Sequence, residues 1–316
     1  MHAKRTLITG SVAYDVLLGY DGSFADAIDG ADTKKLSVSF FSPRYARHHG
    51  GTGANIAWNL RLLGGDPMLV STVGTDGSSY KALMAERGVD VTYLEQRADS
   101  VTATAMIGTD TGERQIAFFH PGADALGDWP DLTDQREDIG HAIISPRNPI
   151  IMMKAVRWCA KHKVQYIFDP GQLIIGLSAD ELRFGMKQAK GIIANAYEWE
   201  LLSQKAGINE HDAVSHSDFL IVTQGEGGAL VVTRDGRETV PVCTAEKVMN
   251  PTGAGDAFRA GLLYGLERGW NVRDGARLGA VMGSLVVGID GTLLESLDME
   301  EVWARAEETY GEKLPA

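Results

Sequence analysis

Cysteine is close to absent from this chain. The two present, Cys159 and Cys243, lie far apart and match neither a metal-ligand nor a redox spacing, which argues against a disulfide framework and predicts buried, reduced thiols. No apolar run approaches the ~18 residues of a membrane span. The first ten residues hold only a short apolar stretch, without the hydrophobic core of a secretory leader, so a cytoplasmic location is expected. Basic residues are in deficit: 30 Lys and Arg stand against 42 Asp and Glu, a formal net charge of −12. That field repels phosphate backbones and anionic lipid, so the expected partners are small molecules, with no nucleic acid and no membrane. Motifs are missing as well. No Gly-Lys dipeptide occurs, hence no Walker A loop, and no Gly-x-Gly-x-x-Gly, hence no dinucleotide fingerprint. There is no Gly-x-Ser-x-Gly elbow, and the histidines, His48-His49 included, lack Cys or carboxylate neighbours at ligand spacing.

Glycine is what the chain has in excess. It supplies 37 of 316 residues, well above the usual ~7%, and clusters in short loops where backbone can approach a ligand. The remaining composition, 44% apolar and 23% charged, is that of a folded protein with a substantial core. Short apolar runs read as strands: Arg5–Thr9, Met68–Val73, His141–Ser145, Gln165–Asp169, Gly191–Ala194, Phe219–Thr223 and Ala229–Thr233. Helical patterns at Ser78–Arg87, Ile150–Lys161, Ser178–Gln188 and Tyr197–Lys205 alternate with them, the third opened by the N-cap Ser178 with Glu181 three residues on. This alternation predicts a doubly wound α/β body, a mostly parallel sheet with helices on both faces.

Two stretches depart from that pattern. Leu36-Ser37-Val38-Ser39-Phe40 alternates with period two and reads as a strand, and Thr102–Phe119 divides at Asp110-Thr111-Gly112-Glu113 like a hairpin. Little helix is expected between Gly10 and Ala31. Together these pieces predict a small antiparallel β-sheet lid, residues 13–45 and 99–122, inserted into a body made of residues 1–12, 46–98 and 123–316.

The most informative stretch is Asn250-Pro251-Thr252-Gly253-Ala254-Gly255-Asp256-Ala257-Phe258, which leads into a helical pattern. Glycines ahead of a helix let backbone N–H groups converge at the positive end of its dipole, a site suited to a phosphate in transfer. Asp256, in the first turn, can accept a hydroxyl proton there. The helix terminus depresses the pKa of such a carboxylate while burial raises it, and both directions stay open at this level. A second glycine loop, Gly50-Gly51-Thr52-Gly53-Ala54-Asn55, opens another helix and puts an amide, Asn55, where it can hold sugar hydroxyls; Asp15, just past the first strand, could accept another. Asn195-Ala196-Tyr197-Glu198 spaces an amide and a carboxylate either to hold hydrated Mg²⁺ or to form a capping box. Thr223-Gln224-Gly225-Glu226-Gly227-Gly228 either bends past a nucleotide or merely turns a hairpin.

In this order the four stretches resemble the ribokinase, or PfkB, family of carbohydrate kinases over nearly the whole chain, with Gly-Ala-Gly-Asp the most specific mark. The resemblance implies a ribokinase-like fold with a β lid and an ATP- and Mg²⁺-dependent kinase. It implies that Asp256 is the base and that Gly253, Ala254 and Gly255 form the anion hole. It puts Asp15, Gly51 and Asn55 on ribose hydroxyls, Asn195 and Glu198 on phosphates and Mg²⁺, and Thr223, Gly225 and Gly228 beside ATP. Within the family the likeness is greatest to bacterial adenosine kinases, through Gly10-Ser11-Val12-Ala13-Tyr14-Asp15, Ser37-Val38-Ser39-Phe40, His120-Pro121-Gly122-Ala123 and Asn250 through Gly261. On that likeness Ser11, Ser39, Phe119 and Gln172 join the expected substrate contacts, and Phe40, Phe118 and Phe119 offer a lid face able to stack on a purine. Thr52 replaces the Lys of ribokinases proper, which disfavours ribose itself. Asn250 replaces an Asp tied to a monovalent cation in some members, which weakens the expectation of potassium (K⁺) dependence. Phosphorylation of the 5′-hydroxyl of adenosine is the expected activity. The alternatives are another ribonucleoside (inosine or guanosine), a sugar such as fructose or ribose, and, more remotely, a non-catalytic sensor on the same scaffold. Lid sheets of this family can pair between subunits, so a homodimer is expected through the lid.

Overall fold

The computed structural model of the protein describes residues 4–28 and 37–315. In chain order its elements are β1 (Arg5–Thr9), β2 (Ala13–Gly19), α1 (Phe24–Ile28), β3 (Arg44–Gly50), α2 (Thr52–Leu62), β4 (Pro67–Val73), α3 (Ser78–Arg87), β5 (Leu94–Gln96), β6 (Ala103–Thr109), β7 (Gln115–His120), β8 (Ile139–Ile144), α4 (Pro149–His162), β9 (Gln165–Phe168), α5 (Ala179–Lys187), β10 (Gly191–Asn195), α6 (Ala196–Ala206), α7 (Glu210–His216), β11 (Phe219–Thr223), β12 (Ala229–Thr233), β13 (Gly236–Val240), α8 (Ala254–Glu267), α9 (Val272–Val286) and α10 (Met299–Tyr310).

Nine strands form the main sheet in the order β13-β12-β11-β10-β9-β8-β1-β4-β5. From β11 to β5 all neighbours are parallel, and β12 and β13 close one edge as an antiparallel meander. The apolar runs of the strands are continuous because helices cover both faces. Adjacent residues accordingly enter different cores. Ile8, Leu69, Ile143, Ile193 and Ile221 pack with Ile56 and Leu60 of α2, Leu262 of α8 and Val281 of α9. Leu7, Met68, Ile144, Ile192 and Leu220 pack with Met152 and Val156 of α4, Leu182 of α5 and Leu202 of α6. Each such large apolar side chain, fully buried, contributes roughly 1.5–3 kcal/mol, and this packing fixes α2 and α8, the two helices that carry the site.

The smaller sheet has the order β3-β2-β6-β7. The hairpin expected across Asp110–Glu113 is present as β6 and β7. Two other expectations are corrected. The sheet is mixed rather than antiparallel, because β2 and β6 run parallel, a long-range pairing that no local pattern encodes. Ser37–Phe40 forms no strand, and Leu36 lies outside the described residues. Phe40 instead packs against Tyr20 and Phe24, with ring centroids 5.1 and 4.9 Å away, so its apolar character serves a local aromatic cluster. The sheet's other two strands are β2, within the stretch where little helix was expected and no strand was picked out, and the polar β3, whose pairing with β2 continues to Gly50.

Candidate active site

The parallel strands end on one side of the main sheet, where open α/β sheets place their ligands. There the chain turns at Gly10 after β1, Ser145 after β8, Asp169 after β9, Asn195 at the end of β10 and Thr223 at the end of β11. The N-termini of α2 and α8 meet above these turns. Ser11 joins α2 to β1: its carbonyl accepts from the amide N–H groups of Gly53 and Ala54, at 2.9 and 3.2 Å, and its hydroxyl accepts from the Thr52 N–H at 3.1 Å. Gly51 precedes the helix at φ +93°, where a Cβ would lie 2.6 Å from the backbone of Ser11 and Ala13.

Gly253 does the same for α8. Its φ is +85°, a Cβ there would meet Thr292 at 2.9 Å, and no side chain caps the helix. The Ala254 N–H turns back to the Pro251 carbonyl at 3.3 Å, while the N–H groups of Gly255 and Asp256 keep the anion-binding end of the dipole open. Asn250 holds the approach, its Oδ1 accepting from the Thr252 N–H at 2.9 Å.

Asp256, half-buried, lines the cleft. Asn55 Nδ2 donates to its Oδ2 at 2.8 Å, while Asn55 Oδ1 accepts from the Thr292 hydroxyl at 2.9 Å. The two glycine-loop helices are joined by this one carboxamide. Burial raises the Asp256 pKa to about 7; Arg259 and the Asn55 bond oppose the rise, and Asp169 and Asp15 add to it. Burial is the largest of these influences, and the carboxyl is poised near neutrality, as a general base requires.

Two cavities meet here. A polar one of about 160 Å³ is lined by Asp256, Asn195, Glu198, Thr52 and Gln172, together with Arg259. A larger one of about 590 Å³ is lined mainly by small and apolar residues, including Gly225, Gly228, Val242, Phe258 and Gly283. Thr223 and Gly255 belong to both. Asn195 and Glu198 do form a capping box, with Glu198 Oε2 accepting from the Asn195 N–H at 2.8 Å and Asn195 Oδ1 from the Glu198 N–H at 2.8 Å. Both still face the polar cavity, and the second carboxylate oxygen of Glu198 takes no part in the box. Its pKa is raised by burial. Among the described residues no group of three or more His, Cys, Asp and Glu is arranged to hold a metal ion. A single carboxylate nonetheless fits Mg²⁺, which keeps most of its waters and takes further ligands from phosphates. The glycine turn after β11 is both a hairpin connection and part of the larger cavity's wall.

Asp15 reaches the site from the smaller sheet. Burial raises its pKa, and His48 opposes this. Cross-strand register puts His48, Asp15, Ala105 and Phe119 in one row. Directly opposed residues share a face, so Phe119 lies on the Asp15 side of the sheet and Phe118, with Met106, on the other. Both phenylalanines are largely exposed, at 59% and 70%. Ser39 sits exposed in an irregular segment, and none of the hydrogen bonds that build the cleft runs through it. Arg259, Asp169 and Thr292 also build the site, though no motif in the sequence marks them. A charged residue inside the apolar run Ala257-Phe258-Arg259-Ala260 was the available signal, since a buried cation requires a partner.

The fold and this site define a sugar-type kinase, and the chain belongs to the pfkB family of carbohydrate kinases, whose model matches residues 24–298. The nucleoside kinase of Methanocaldococcus jannaschii is 29% identical over 81% of this chain and 84% of its own length. An Escherichia coli fructokinase is 31% identical over 69% of this chain and 76% of its own. The Burkholderia thailandensis nucleoside kinase, solved in complex with inosine, superposes with a TM-score of 0.86 at 36% identity and covers 98% of this chain and 100% of that one.

Proposed function

We propose that this chain transfers the γ-phosphoryl group of ATP to the 5′-hydroxyl of a purine ribonucleoside, with adenosine giving AMP as the leading case. The observation that carries the reading is the continuity of the two cavities at Gly255 and Thr223, with Asp256 on the wall of the polar one. The apolar cavity takes the base and ribose of ATP beside Gly225 and Gly228, and the polyphosphate runs past Thr223 and Asn195 toward the first turn of α8. Asp15, Gly51 and Asn55 hold the acceptor ribose, with Ser11, Ser39 and Gln172 as further contacts, while Phe119 covers the base. Asp256 accepts the 5′-hydroxyl proton as the oxygen attacks phosphorus in line, and the open N–H groups of Gly255 and Asp256 stabilise the charge that develops. Glu198 would hold Mg²⁺, which neutralises phosphate charge when bound. Closure of the smaller sheet as a lid excludes water that would otherwise compete with the acceptor. The exposed outer face of that sheet, with Phe118 and Tyr45, is where we place a homodimer contact. The working location is the cytoplasm.

Inosine is the second acceptor, favoured because the Burkholderia thailandensis relative was solved with it. A flat aromatic face such as Phe119 stacks on either purine and does not choose between them. The test is transfer from labelled ATP to adenosine, inosine, guanosine, ribose and fructose. Purine nucleosides are expected to exceed both sugars in kcat/KM by at least tenfold, and a preference for ribose or fructose would overturn the reading.

A further inference from the structure

Among the described residues Arg259 is the one cationic side chain on the wall of the polar cavity, and the larger cavity is lined by none. It is buried and tightly held. Its Nε and Nη2 donate to the two carboxylate oxygens of Asp169, at 2.6 and 2.5 Å, and its Nη1 donates to the Gly255 carbonyl at 2.9 Å. Asp169 is itself fully buried and also accepts from the Ser145 hydroxyl at 2.7 Å. The guanidinium is therefore clamped to the strand ends after β8 and β9 at one end and to the glycine loop of α8 at the other. Asp256 stands three residues before Arg259, on the same helical face, without touching it.

The charges around Asp256 are unbalanced. Asp15 faces it from β2, Asp169 from the turn after β9 and the buried Tyr80 from α3, while α2 contributes the neutral Asn55; Glu198, from α6, flanks Arg259. Arg259 is the one cation among the groups acting on Asp256, and the hydrogen bond from the neutral Asn55 acts in the same direction. We propose that Arg259 is a positioning residue that favours the charged form of the Asp256 carboxylate in the ligand-free cleft, and that Asp169 is the anchor fixing the distance at which it acts. This extends, and rests on, the assignment of Asp256 as the base. The charge balance gives the effect a direction: removal of the cation favours protonated Asp256, whereas removal of the Asp169 charge favours ionised Asp256.

The experiment is the pH profile of kcat/KM, whose acid limb reports ionisation of the base in the free enzyme. Arg259→Met should move that limb upward by about one pH unit, and Asp169→Asn, which keeps an acceptor for Arg259 and Ser145, should move it downward. Arg259→Lys retains the charge without the two-pronged grip and should restore part of the shift, and it serves in place of Arg259→Met if that variant does not fold. Unmoved limbs in folded variants, or limbs moving in the same direction, would overturn the proposal and leave the pair a purely structural clamp. Asp256→Asn, assayed alongside, separates the two layers: if that variant keeps its activity the base assignment fails, whereas an inactive variant beside unmoved limbs refutes only the role of Arg259.

Discussion

Replacing Asp256 by Asn is expected to stabilise the ligand-free protein at alkaline pH. The carboxyl is pushed from its ordinary 3.8 to about 7, so folding favours its protonated form. That stability is present in full below about pH 3.8 and is lost as the pH rises through about 7, because above that point the fold encloses a charge it solvates poorly. A shift of about three units sets a ceiling of about 4 kcal/mol. The open face of the cleft lets water screen the charge, and about 1–2 kcal/mol is the realistic size. An Asn at this position keeps an oxygen for the Asn55 N–H and removes the charge. Thermal unfolding of the two proteins should therefore differ by roughly 1.5–3 °C at pH 8.5, with the variant the more stable, and most of the gap should close at pH 4.5. A variant less stable than the parent at pH 8.5, or a gap independent of pH, would refute the claim that burial governs this carboxyl.

Phe119→Ala should raise KM for a purine nucleoside about 10- to 100-fold, the value of one stacking contact, whereas Phe118→Ala on the opposite face should leave KM within twofold; equal effects would show that the register argument misplaces the acceptor. Gly253→Ala should lower kcat at least tenfold and cost about 1–3 kcal/mol of stability in denaturant unfolding, because the left-handed φ and the Thr292 contact at 2.9 Å both resist a Cβ.

The body of the fold was legible because its strands are apolar runs bounded by turn residues. Phe219–Thr223 and Gly191–Ala194 announce themselves, since a doubly covered sheet demands hydrophobic residues on both faces. The smaller sheet was half legible. β6 and β7 carry a local turn signal, but β3, Arg44–Gly50, is polar with no regular burial alternation, so no pattern betrays it, and its partner β2 is recruited through tertiary pairing. Ser37–Phe40 imitates a strand because Phe40 must reach Tyr20 and Phe24, a packing need that happens to fall at period two. At the site, Asp256 and Asn55 stood in recognisable glycine loops, and their 2.8 Å contact depends on two helices 201 positions apart in sequence. Asp169 and Arg259 were illegible as a pair for the same reason, even though the misfit of an arginine within an apolar helical run was in plain view.

The most direct measurement is single-turnover phosphoryl transfer by Asp256→Asn, run beside a calorimetric titration of nucleoside binding. The variant should bind nucleoside within a few-fold of the parent and transfer phosphate at least 10²-fold more slowly, the usual contribution of a positioned base. Transfer within tenfold of the parent rate, with binding intact, would contradict the account.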